Sequence, residues 1–167
     1  AGSYRVTYTI AEGNTAIADA ATIPIQVILE DLAGNPTPSF TTTPAAGSAP
    51  GIDGSTPTIS AVTFSPTSLV QKVGNTISMT ISASESNLTA TTTTINGVDV
   101  SSTFSAGGSN TYTVTYTVAE GNTDIGDDAQ IPIAVVLSDA GGNSSASYTT
   151  SPASNQSPGV DANTASV

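Results

Sequence analysis

The chain has 167 residues, room for one domain or a little more, and carries 13 acidic side chains against 2 basic ones, a formal net charge of −11. That balance excludes a basic nucleic-acid footprint and works against binding to anionic lipid. Without a cysteine or a histidine, disulfides, thiol chemistry and histidine-based catalysis are excluded as well.

Strand signals run through the chain from its first residues. Tyr4, Val6, Tyr8 and Ile10 alternate with Arg5, Thr7 and Thr9, which predicts a strand over 4–10. Further apolar runs predict strands over 23–30 and 37–43. Residues 44–57 are rich in Pro, Gly, Ala and Ser and read as a linker. Beyond them seven strands are predicted: A over 58–64, B over 74–82, C over 89–95, D over 98–104, E over 111–118, F over 131–138 and G over 145–151. Turn residues separate them, and Asn96-Gly97 between C and D is a strong signal for a two-residue hairpin. Ala106-Gly107-Gly108 predicts the D–E turn, and Gly141-Gly142-Asn143 the F–G turn. No window shows a 3.6-residue period over a helical length, and none is apolar for the 18 or so residues that a membrane-spanning helix needs.

The chain also repeats itself. Tyr4 to Ile59 aligns without a gap onto Tyr112 to Val167, an offset of 108, with roughly half the positions identical. One period is about a domain long. Residues 1–52 then read as the second half, strands E to G, of one unit, with 53–57 as the link. Residues 58–160 read as a complete unit, and 161–167 as the start of the next, 152–163 being the copy of the linker. A half-unit has too little core to stand alone, so the chain is expected to be part of a longer protein, or its first half-unit is completed by another chain. Seven regularly spaced strands in about 100 residues point to a two-sheet antiparallel sandwich.

The pattern resembles the bacterial immunoglobulin-like repeats of large extracellular adhesins. The resemblance is carried by Thr56-Pro57-Thr58-Ile59 before strand A, Lys72-Val73-Gly74-Asn75 before B and Ala119-Glu120-Gly121-Asn122 after E. Asp139-Ala140-Gly141-Gly142-Asn143 between F and G and the closing Gly159-Val160-Asp161-Ala162-Asn163 complete it. One departure is that Ser166-Val167 follows Asn163 without the proline seen at Pro57. The resemblance implies an all-β, rod-like array of tandem immunoglobulin-like antiparallel β-sandwich repeats on the bacterial cell surface. It also implies neighbouring repeats as partners and calcium at their junctions.

The acids are the candidate chemistry. Calcium takes about six to eight oxygen ligands, from carboxylates and carbonyls. Immunoglobulin topology would gather Glu12, Asp19 and Asp53 at one junction, facing Glu85 from the B–C loop and Asp139 from the F–G loop. The equivalent outgoing set is Glu120, Asp127, Asp128 and Asp161. The same residues equally read as turn formers, because Asp and Asn side chains bond nearby backbone amides, and Asp139 to Asn143 is explained wholly as a hairpin turn.

Catalysis has little support. A nucleophilic triad needs a base, and Lys72, the only lysine, sits beside a turn. The carboxylates fall at strand ends rather than in one cleft. The Asn-x-Ser/Thr sites at Asn87, Asn143 and Asn155 are expected by chance in so Ser- and Thr-rich a chain. Tyr4, Tyr8, Tyr112 and Tyr116 lie on apolar faces and are expected in the core rather than on a ligand platform. The expected role is a non-enzymatic spacer of an adhesin or filament, with no nucleic acid and no direct membrane insertion. Self-assembly into a sheath or fibre, or carbohydrate binding by the repeats, are the alternatives.

Overall fold

The computed structural model of the chain describes residues 2–44, 47, 49–127 and 129–166. Asp128 and Val167, which enter the readings above, lie outside the described residues, as do Ala45, Ala46 and Ser48 of the expected linker. The chain is all-β, its sheets mainly antiparallel, and it divides into two units, Ala1–Ser55 and Thr56–Val167.

In the second unit, alternating side chains make strands with one apolar face. Strands β1 (Ile59–Ser65) and β3 (Thr76–Ala83) pair antiparallel. Strand β3 also pairs with β7 (Thr111–Thr117), which takes β6 (Ser105–Gly108) on its far edge. A second sheet holds β4 (Thr89–Ile95) between β5 (Val98–Asp99) and β8 (Ile133–Ser138). A third pairing joins β2 (Val70–Lys72) to β9 (Gly159–Asp161) in parallel. The apolar faces of the two larger sheets form one sandwich-like core. Ile77, Met79 and Ile81 of β3 and Tyr112, Val114 and Tyr116 of β7 are buried in it with Ile95, Ile133, Val135 and Leu137. Each large apolar side chain so buried contributes about 1.5–3 kcal/mol.

Two tight turns show why these strands meet as they do. Asn96 and Gly97 both take positive φ, 54° and 76°, and connect the paired residues Ile95 and Val98. Ser109 and Asn110, at 49° and 60°, make the corresponding turn between β6 and β7. Positive φ at both central residues matches the right-handed twist of the flanking strands. The D–E turn therefore lies two residues beyond the expected Ala106-Gly107-Gly108, all three of which belong to β6.

Other expectations are corrected. Strand D is not continuous over 98–104: a short 3-10 turn, Ser101–Thr103, follows β5. The Asp99 carboxylate accepts the Ser101 N–H at 2.9 Å, and Ser101 Oγ accepts the Thr93 N–H at 2.8 Å. These local bonds compete with the ladder and interrupt the strand. Strand G over 145–151 meets β8 only at isolated bridges, Val135 with Tyr148 and Ser138 with Ser144. Between them Ser145 Oγ, rather than a backbone carbonyl, accepts the Leu137 N–H at 3.1 Å.

The segment 152–163 does not behave as a linker. It contains β9, and Ser157, Val160 and Ala162 are buried in the second unit. Gly159 permits this, since a Cβ there would lie 2.9 Å from the Asp127 nitrogen and 3.0 Å from the Ile125 carbonyl. The start assigned to a further unit at 161 therefore falls inside this one. The two units divide within the expected link 53–57, although its first residues are held to the first unit. Gly54 is buried, its carbonyl accepting the Gly13 N–H at 2.8 Å, and Ile52 exchanges two 2.8 Å backbone bonds with Ile17.

The first unit, described by itself, is held by isolated bridges rather than regular strands: Ile17 with Ile52, Val27 with Phe40 and Glu30 with Pro36. Each recurs 108 residues later, as Ile125 with Val160, Val135 with Tyr148 and Ser138 with Ser144. The side-chain substitution in the ladder recurs too, with Thr37 Oγ1 accepting the Leu29 N–H at 3.1 Å. The strand expected over 4–10 is not formed, and Tyr4 and Tyr8 are exposed rather than in a core. Tyr112 and Tyr116 are buried as expected.

Candidate functional site

The acids of the second unit lie at its two ends. Strands β3, β7, β4 and β8 bring Ala83, Thr111, Thr89 and Ser138 to one end, where Glu85 and Asp139 follow. Glu85 is half-buried, and its carbonyl accepts the Tyr112 hydroxyl at 3.0 Å. The same hydroxyl accepts the Leu88 N–H, so the tyrosine pins this loop to the core. Asp139 closes the turn after β8. Its Oδ1 accepts the Asn143 N–H at 2.8 Å and its Oδ2 accepts Asn143 Nδ2 at 3.0 Å. Gly142 takes a φ of 91° to complete the turn. Burial pushes the Asp139 carboxyl up, but the hydrogen bonds from Asn143, Gly142 and Gly141 outweigh it and hold it below its ordinary value.

At the opposite end lie Glu120, Asp124, Asp127 and Asp161. Glu120 Oε2 accepts the Thr164 hydroxyl at 2.8 Å and its N–H at 3.1 Å. Asp161 Oδ1 accepts the Asn163 N–H at 3.2 Å. Asp124 accepts the Ala162 N–H at 2.8 Å and Asn163 Nδ2 at 2.6 Å. Asp127 is exposed in the loop against which Gly159 packs. Asp124 is the residue that sequence reasoning missed. Its counterpart 108 residues earlier is Ala16, so a search for recurring acids passes over it.

In the first unit, Asp31 repeats the Asp139 turn. Its carboxylate accepts the Asn35 side chain at 2.9 Å and the Asn35 and Ala33 N–H groups at 2.9 Å, and these bonds hold its pKa below the ordinary value. Asp53 Oδ1 accepts the Ser55 N–H at 3.1 Å, as Asp161 does for Asn163. Glu12 and Asp19 are exposed in the loop that pairs with residues 49–54.

Against calcium, this donor set fits poorly within either unit. Among the described residues no three carboxylates gather closely enough to hold a metal ion. Asp31, Asp139 and Asp161 each direct an oxygen at a donor a few residues ahead, which is turn chemistry, while Glu120 and Asp124 fasten the distant segment Ala162–Thr164. A hollow of about 150 Å³ lies between Pro57–Ile59 and Ser145–Tyr148, and none of the acids lines it.

No protein-family model matches the chain, and no curated protein matches it in sequence.

What recurs, then, is a set of fastenings. Tyr116 Oη donates to Asn122 Oδ1 at 2.8 Å, and the same oxygen accepts the Ala119 N–H at 2.9 Å. In the first unit Tyr8, Asn14 and Ala11 make the same pair of bonds, both at 2.7 Å. In the second unit Asn96 Nδ2 adds bonds to Tyr116 Oη at 3.3 Å and to the Thr123 carbonyl at 2.7 Å. Tyrosine thus fastens the loop that follows it at both places, from a buried ring in the second unit and an exposed one in the first. No described helix is long and apolar enough to cross a membrane.

Proposed function

We propose that the chain is a stretch of tandem immunoglobulin-like repeats serving as a structural spacer in an extracellular protein of the bacterial cell surface. The observation that carries this reading is the recurrence, at one offset of 108 residues, of three bridges, the Tyr–Asn loop fastening and the Asp–Asn turn. Two stretches of one chain that place the same bonds at the same offset act as copies of one building unit. A unit whose core is filled, and whose Glu120, Asp124, Asp139 and Asp161 accept bonds from its own turns and closing segment, is suited to holding distance and direction. Lys72 and Arg5 are the only trypsin sites, which suits life on an exposed surface.

Calcium at the junctions, implied by the resemblance, belongs to the same proposal as its metal-dependent form. It would draw on Glu12, Asp19, Asp53, Glu85 and Asp139, and on Glu120, Asp127 and Asp161 at the next junction. Thermal unfolding of the chain in calcium and in chelator, beside Asp53→Ala, separates the two forms. A ligand bound only to the folded state at a hundredfold excess over its Kd adds about 2.7 kcal/mol. The turn geometry leads us to expect no shift on chelation. A calcium-dependent rise lost in Asp53→Ala would establish the metal-dependent form.

The exposed rings Tyr4, Tyr8 and Phe40 bear on the carbohydrate alternative, since sugars stack on aromatic faces. Tyr112, Tyr116 and Tyr148 occupy the same places 108 residues later, and they are buried or half-buried. The three exposed rings therefore stand at positions that the second unit uses for its core, which supports a packing role over a sugar platform. Capture of the chain on a glycan panel would overturn the spacer role, and we expect none.

A further inference from the structure

The first unit exposes a strip that its counterpart buries. Tyr4, Val6, Tyr8 and Ile10 are 77, 87, 64 and 46 % exposed. At the offset of 108, Tyr112, Val114, Tyr116 and Val118 are 2, 0, 0 and 1 % exposed. A second strip behaves alike, with Val27 and Leu29 36 and 43 % exposed where Val135 and Leu137 are fully buried. Contiguous apolar surface of this kind marks an interaction face.

The second unit shows what such a face takes. Tyr112, Val114 and Tyr116 lie opposite Ile81, Met79 and Ile77 of β3, in an antiparallel register. Strands β4 and β5 and the Asn96-Gly97 turn also come from the stretch 56–110. That one stretch supplies the added strand, much of the opposite sheet and the Asn96 bond to the tyrosine hydroxyl.

We propose that the first unit is a receptor for a complementary half-unit of the same sequence class as residues 56–110. The added strand runs antiparallel to residues 4–10, placing positions equivalent to Ile81, Met79 and Ile77 opposite Tyr4, Val6 and Tyr8. Main-chain bonds give the affinity and the alternating apolar side chains give the register. A position equivalent to Asn96 meets the Tyr8 hydroxyl, which already donates to Asn14. The occupant is a half-unit of that class rather than a second folded copy of this chain. In a folded copy the stretch 56–110 is committed to its own β7, and releasing it would expose a buried core.

The inference rests on the repeat reading under the proposed function. It is tested by joining a second copy of residues 56–111 directly ahead of Tyr4 in the full chain, the connection found at Thr111-Tyr112. The extended chain is expected to show a second cooperative thermal transition and at least a hundredfold slowing of amide exchange over residues 4–10. Val6→Asp in the extended chain should abolish both, while the transition of residues 56–166 stays where it was. In parallel, the separate 56–111 peptide is added to the isotope-labelled original chain. A one-to-one complex with shifts confined to residues 4–40 supports the proposal.

An extended chain that gains neither transition nor protection overturns it. So does a concentration-dependent dimer of the original chain that protects 4–10 without any peptide, which would make a second copy the occupant. Neither outcome touches the spacer role, which falls instead on glycan capture.

Discussion

At the scale of single residues, the second unit keeps one buried polar atom unanswered. Thr93 Oγ1 is fully buried and has no hydrogen-bond partner among the described residues. Such a group costs about 1–3 kcal/mol relative to a satisfied one. Thr93→Val is nearly isosteric, so it should raise stability by about 1 kcal/mol and Tm by roughly 4 °C, read by calorimetry. The tyrosine fastening predicts the opposite sign. Tyr116→Phe removes the donor to Asn122 and an acceptor for Asn96, and should cost about 1–2 kcal/mol in denaturant unfolding. Asp139 predicts a pH dependence. Its folded-state pKa lies below the ordinary 3.8, so its contribution is present above that pH and is lost as the pH falls through the folded value. Unfolding midpoints measured from pH 6 down to pH 2 should therefore drop less steeply in Asp139→Asn than in the parent.

Among the elements, β9 is the piece whose placement depends on one glycine. Gly159→Ala sets a methyl group against the Asp127 amide and the Ile125 carbonyl, which are backbone and cannot swing aside. It should destabilise the unit by about 1–3 kcal/mol and speed amide exchange at Val160 and Ile125. The same element shows where sequence reading stops. Alternation located β3, β7 and β8 because a period of two reports directly which face is buried. Asn96-Gly97 located its turn because few residue pairs tolerate two positive φ values. Residues 152–163 looked like a linker because their side chains are small, yet small side chains also let backbones approach closely. Ser145 and Thr37 could not be read at all, since a hydroxyl that replaces a carbonyl in the ladder leaves no periodic trace. The acids were legible as recurring residues, but their partners were not. A carboxylate that caps its own turn and one that awaits a metal look alike in sequence.

For the molecule as a whole, the two units should differ in how they yield. Limited chymotrypsin digestion is expected to cut first at Tyr4, Tyr8, Leu32 and Phe40, all exposed, and to spare Tyr112 and Tyr116. Early cleavage within residues 111–117 would mean that the core of the second unit opens more easily than its burial implies. The parallel pairing of β2 with β9 carries a mechanical consequence. Val70–Lys72 lies towards the beginning of the second unit and Gly159–Asp161 towards its end, and they run in the same direction. Tension applied at the two ends, once β1 has peeled away, drags these strands past each other lengthwise. Their hydrogen bonds must then break together under shear instead of unzipping one at a time. Three residues on each side thus form a force clamp, and a proline at Gln71 should lower the rupture force of the second unit far more than it lowers its Tm.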